Sequence, residues 1–140
     1  MKRVVSVSLG SPRRNQDLEL EVSGSRLMVQ RVGAGGNLEY MAQILKDLDG
    51  KVDALGLGGI NLTLRAGRRR YLLRDGVRLA AQVRATPLVD GSGFKDTVER
   101  DLVLYLQEKL GWPRRGQVVL MVSALDRYGL AGLWNLQAAG

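Results

Sequence analysis

The chain has 140 residues, of which 45% are hydrophobic and 25% charged, carries a formal net charge of +7, and contains neither histidine nor cysteine. That length suits one domain with a substantial core, and the balance of apolar and charged residues is far from that of disordered chains. The two missing residue types exclude disulfides, thiolate metal sites and Ser-His-Asp or Cys-His catalysis, so that Lys, Asp, Glu, Tyr and Ser are the proton carriers left, and no metal site is expected.

The opening MKRVVSVSLGSPRR lacks the long apolar core and small-residue cleavage site of a secretory leader. No window approaches the roughly eighteen consecutive apolar residues of a membrane-spanning helix, so the expected address is cytoplasmic, with no membrane partner. Lys2 to Ser8 then reads as a strand, because Val4, Val5 and Val7 give the nearly continuous apolar run of a strand inside a sheet. Leu9-Gly10-Ser11-Pro12 ends it. LELEV at 18–22 and RLMVQRV at 26–32 flank Ser23-Gly24-Ser25, the pattern of a half-exposed hairpin.

After Gly33-Ala34-Gly35-Gly36, Asn37 is a good N-cap, and Leu38, Met41, Ile44, Leu45 and Leu48 recur at helical spacing up to Gly50. Val52 to Leu57 is predicted as a short buried strand, NLTLRAGRRRYLL as a second hairpin turning at Ala66-Gly67, and Val77 to Arg84 as a shorter helix. Leu88 and Val89 supply a brief strand that breaks at Asp90-Gly91-Ser92-Gly93. Asp96 and Glu99 stand at capping-box spacing before a helix whose Val98, Leu102, Tyr105, Leu106 and Leu110 share a face, closed by Gly111 and Pro113. VVLMV at 118–122 reads as a buried strand and Leu130 to Ala139 as a helix, whose Leu130, Leu133, Trp134 and Leu136 could drive self-association into a homo-oligomer.

The order β-β-β-α-β-β-β-α-β-α, then β-α, predicts an α/β fold with a mixed sheet flanked by helices. The last βα unit, 114–140, either packs onto the preceding sheet as a last edge or is the start of a second, Rossmann-like domain that is incomplete here, after an α/β domain at 1–113. Three strands followed by alternating helices and strands is also the order of ribonuclease-H-like and actin-like domains; those carry a metal-holding carboxylate on the first strand, where this chain has Ser6 and Ser8. A central opening strand beside its own hairpin would favour that type, and a parallel surround would not.

Arg13 and Arg14, Arg68 to Arg70, and Arg114 and Arg115 form short basic clusters at predicted turns. With two Trp, four Tyr and one Phe in the whole chain there is no aromatic ladder for stacking bases, so nucleic acid is not the expected partner. Three loops carry the groups suited to chemistry. Leu55 to Thr63 brings Gly56, Gly58 and Gly59 to a strand end, where backbone can approach a ligand and Asn61 and Thr63 can bind hydroxyls, or where the glycines only shape a turn. Val89 to Thr97 gathers Asp90, Ser92 and Lys95 near a helix N-terminus suited to an anionic ligand, or caps that helix. Ala124 to Gly132 holds two glycines, Gly129 and Gly132, where a dinucleotide fingerprint wants three, with Asp126 as a cap, and no P-loop motif occurs anywhere.

Four segments, KRVVSVSLGSPRR, DGKVDALGLGGINL, TPLVDGSGFKDTVER and VVLMVSALDRYGLA, together resemble the bacterial quinate 5-dehydrogenase family, of the shikimate and quinate dehydrogenase kind, whose members are longer than this chain. The resemblance implies oxidation of a ring hydroxyl on a small anionic polyol substrate, with NAD or NADP as cofactor and the fragment inactive alone. On that basis Lys95 and Asp90 are the catalytic pair. Asn61, Thr63, Ser92 and Gly59 hold substrate, and Asp126, Arg127 and Gly129 meet the cofactor. The N-x-T-x-P-x-K segment of such dehydrogenases is matched here by Asn61-Leu62-Thr63 only, since Leu64, Arg65 and Ala66 follow. The alternative expectation is a non-catalytic domain, actin-like or ribonuclease-H-like, that binds a small ligand.

Overall fold

In the computed structural model the described residues are 1–66, 69–112, 114, 116–118 and 120. They form two compact units: Met1–Thr63 with Leu72–Gly91, and Leu64–Tyr71 with the described residues from Ser92 onward. The first unit holds a five-stranded mixed sheet of β1 (Lys2–Ser8), β2 (Gln16–Val22), β3 (Ser25–Gly33), β4 (Ala54–Gly58) and β7 (Leu88–Val89), in the order β2-β3-β1-β4-β7. Two helices belong to it, α1 (Leu38–Leu48) and α2 (Arg74–Ala80), together with a 3-10 turn at Pro12–Arg14. A separate two-stranded sheet pairs β5 (Thr63–Ala66) with β6 (Arg69–Leu72). The predicted α/β class with a mixed, helix-flanked sheet is the fold observed.

Register explains which side of the sheet is the core. Val5 pairs with Leu55 and Val7 with Leu57, so these four side chains share one face, and Met41 and Leu45 of α1 and Leu79 of α2 cover it. Val5, Val7, Met41, Leu45 and Leu55 are all under 2% exposed, each worth about 1.5–3 kcal/mol of apolar burial. Asn37 caps α1 by accepting from the Tyr40 amide at 3.0 Å. The opposite face carries Val4, Ser6 and Ser8 on β1, Val29 and Arg31 on β3, and Ala54, Gly56 and Gly58 on β4.

β1 is central and runs parallel to both neighbours, β3 and β4. It lies beside the hairpin's second strand, not its first, because among the described residues β2 pairs only with β3 and forms the edge. The β2–β3 turn, Ser23-Gly24, has φ values of 50° and 74°, the type I′ conformation whose twist matches a two-residue hairpin.

Several boundaries differ from the sequence expectation. α2 begins at Arg74, not Val77, and ends at Ala80. It contains Gly76, where a Cβ would collide with the Asn61 carbonyl oxygen; the glycine lets the helix lie against that backbone. β4 begins at Ala54 rather than Val52, since the Asp53 amide donates to the Arg3 carbonyl at 2.9 Å and its carboxylate accepts from the Arg3 amide at 2.7 Å. Arg69 and Arg70 lie in β6, not at a turn.

The helical run expected to open at Asp96 opens at Ser92. It comprises α3 (Ser92–Phe94), a π turn (Lys95–Glu99) and α4 (Arg100–Leu110). Within the π turn the Thr97 hydroxyl donates to the Gly93 carbonyl at 2.8 Å, a back-bond of the kind that perturbs helix geometry. Of the strand expected at 118–122, Val118 and Leu120 are described; neither is in a strand, and they are 98% and 86% exposed. The remainder of that strand, the Ala124–Gly132 loop and the Leu130–Ala139 helix lie outside the described residues. No helix among the described residues is long and apolar enough to cross a membrane.

Candidate functional site

Because β1, β3, β4 and β7 are mutually parallel, their carboxyl ends lie along one edge of the sheet. The chain leaves β1 toward β2 and β3 on one side, and leaves β4 toward β7 on the other. The gap between the ends of β1 and β4 is therefore a topological switch point, where open α/β sheets place their ligands.

Backbone bonds shape this edge. The Leu9 amide donates to the Gly58 carbonyl at 2.9 Å and the Ala34 amide to the Ser8 carbonyl at 2.7 Å. The strand ends approach so closely that a Cβ at Gly58 would lie 2.8 Å from the Ser8 Cβ, and one at Gly33 would lie 2.5 Å from the Ser11 carbonyl oxygen.

A guanidinium lies on the face away from the core, at the end of β3. Arg31 donates through Nη2 to the Ser8 Oγ at 3.0 Å and through Nη1 to the Ser11 carbonyl at 3.1 Å. Arg31 is half-buried, Ser8 is 7% exposed, and neither bond goes to a carboxylate. With five N–H donors in its fork, Arg31 keeps donors beyond these two. Sequence reading missed this pair: Arg31 is one of many arginines, and only its register opposite Ser6 assigns it to this face.

A second cluster lies at the ends of β4 and β7. The Asp90 Oδ2 accepts from the Leu62 amide at 2.6 Å, which brings together two of the three loops singled out in the sequence. Asn61 adjoins that contact and is half-buried, Gly59 has a φ of 74° that favours glycine, and Thr63 opens β5. Ser92 and Lys95 belong to the second unit: Ser92 opens α3 and Lys95 the π turn, so Lys95 lies within a helical run, not in a loop. Asp126, Arg127 and Gly129 lie outside the described residues.

A dinucleotide needs a glycine turn between strand and helix whose amides face outward. The turn from β3 into α1, Gly33-Ala34-Gly35-Gly36, has that placement, but the Gly35 and Gly36 amides donate to the Gly10 and Leu9 carbonyls at 3.0 and 2.6 Å. Those amides are spent, so this turn does not fit a nicotinamide cofactor's pyrophosphate. Among the described residues no group of three or more acidic, His or Cys side chains is placed to hold a metal ion.

One strongly perturbed carboxyl lies elsewhere, after α1. Asp49 accepts from the amides of Arg84 at 2.8 Å, Ala85 at 3.0 Å and Thr86 at 2.8 Å. Led by the Arg84 amide bond, these donors hold its pKa at about 2, down from 3.8. The three amides form a nest that ties the end of α1 to the segment before β7. Nothing in the spacing of residues 49 and 84–86 announced it.

Residues 3–90 match the family described as domain of unknown function DUF8753. The chain belongs to this family. Residues 93–136 match a second family, domain of unknown function DUF8754. The two matches meet at 91–92, where the first compact unit ends at Gly91 and the second resumes at Ser92. Ser8, Arg31, Asn61 and Asp90 all fall within the DUF8753 match, and Lys95 within the DUF8754 match. No curated protein and no solved structure matches the chain.

Proposed function

We propose that this chain holds a small hydroxylated carboxylic acid at the carboxyl edge of its parallel strands, as the substrate-binding part of a dehydrogenase acting on a cyclic polyol acid of the quinate or shikimate kind. The observation that carries the reading is Arg31, a half-buried guanidinium bonded to a hydroxyl and a carbonyl beside a topological switch point. A guanidinium so placed presents the donor geometry that a carboxylate matches, and a low-dielectric surround strengthens the bond. Asn61 and Asp90 supply amide and carboxylate groups for ring hydroxyls.

NAD or NADP, when bound, would accept the hydride; the resemblance implies contacts from Asp126, Arg127 and Gly129, which lie outside the described residues. The resemblance gives Lys95 a proton-transfer role, tested by Lys95→Ala in a longer quinate dehydrogenase-like relative, where quinate-dependent cofactor reduction should be abolished; unchanged turnover removes Lys95 from the reaction. A second reading, ligand binding without catalysis, draws on the commitment of Asp90 to the Leu62 amide. Binding of quinate to such a relative without any oxidation would select it.

The direct test is a titration of this chain with quinate, shikimate, inorganic phosphate and the uncharged polyol inositol, read by calorimetry. Quinate and shikimate should bind and inositol should not, and Arg31→Met should weaken acid binding by about tenfold or more while Arg31→Lys recovers part of it. Equal binding of quinate by wild type and Arg31→Met would defeat the assignment.

A further inference from the structure

Among the described residues β2 is the long free edge of the sheet: seven residues, Gln16–Val22, all exposed, paired only with β3. The opposite edge, β7, has two residues. A type I′ two-residue turn makes Val22 and Ser25 a hydrogen-bonded pair, and hydrogen-bonded pairs alternate from there. Leu18, Leu20 and Val22 therefore spend their backbone groups on β3, whereas Asp17, Glu19 and Glu21 turn their N–H and C=O groups outward. Side chains divide the same way, acids on one face and exposed apolar residues on the other.

An unpaired edge of this length is a template for another strand. A second copy of β2 is selected against, because every register that keeps leucine on the leucine side sets the acids of one copy beside those of the other, and like charges across a ladder repel. Across the β2–β3 ladder Glu19 faces Met28, Glu21 faces Arg26, and Asp17 accepts from the Gln30 side chain at 3.1 Å; neither Glu19 nor Glu21 has a side-chain hydrogen bond or ion pair among the described residues. Glu19 thus has no basic residue opposite it on β3, and Asp17, Glu19 and Glu21 form an acidic row on a chain whose net charge is +7.

We propose that β2 receives an extended segment of a different polypeptide in which Lys or Arg alternates with branched apolar residues, adding a sixth strand whose basic side chains lie beside Asp17, Glu19 and Glu21 and whose apolar ones lie beside Leu18, Leu20 and Val22. Main-chain bonds from the outward groups hold the segment, and the acid row chooses it.

The probe is the blocked heptapeptide Val-Lys-Val-Lys-Val-Lys-Val, titrated into the 140-residue chain and followed by β2 amide shifts in NMR, beside the same peptide with Glu for Lys. The lysine peptide should bind at least about tenfold more tightly than the glutamate one. Glu19→Pro removes an outward amide without breaking a bond to β3, and should weaken binding by about tenfold or more. The double variant Glu19→Lys, Glu21→Lys keeps the backbone and should invert the preference. Equal affinity for the two peptides, no lysine-peptide binding at millimolar concentration, retention of the preference in the double variant, or dimerisation of the chain through β2 would each overturn the proposal.

Discussion

Asp49 illustrates how one side chain fixes the meeting of two distant segments. Its carboxyl is held at about 2 in the folded chain against an ordinary 3.8, so its stabilising effect is complete above that ordinary value and fades as pH falls toward about 2. The melting temperature should therefore drop on acidification across that window, and Asp49→Asn should flatten this part of the profile, checked by thermal denaturation at a series of pH values. Gly58 makes a second single-residue case. A Cβ there would sit 2.8 Å from the Ser8 Cβ on the neighbouring strand, so Gly58→Ala should cost about 1–3 kcal/mol in chemical denaturation through overpacking. Ser8→Gly added to it should restore part of that loss, since the two sites are in contact and not additive.

At the scale of elements, α1 and the β2–β3 hairpin were readable because their signals are local: an Asn cap before residues at three- and four-residue spacing, and alternation around a two-residue turn. α2 was misplaced for the opposite reason. Gly76 belongs in that helix because of Asn61, a residue distant in sequence, and local propensity gives no hint of such a neighbour. Gly76→Ala should accordingly destabilise the protein despite alanine's higher helix propensity, and a lowered urea midpoint with an unchanged slope would show it. The π turn at Lys95–Glu99 overrode the capping-box reading of Asp96 and Glu99 in the same way, since it lies inside a helical run that already began at Ser92.

For the whole molecule, the two family matches meet where the first compact unit ends, at Gly91–Ser92, although Leu64–Tyr71, inside the first match, clusters with the second unit. Every residue of the hydrophobic cluster lies before it, from Val5 to Leu79. The fragment Met1–Gly91 should therefore fold alone, with a cooperative thermal transition and native-like circular dichroism; a non-cooperative melt would show that it needs the rest. The sequence by itself determined the succession of strands and helices as far as Leu110 and which residues of β1, β4 and α1 are apolar, because periodicity and turn chemistry act over a few residues. Only the tertiary structure decided that β1 runs parallel between β3 and β4, that Arg31 reaches Ser8 and that the Leu62 amide meets Asp90. Those are choices of partner made across long stretches of chain, settled by which faces can be buried together and which backbone groups still need a mate.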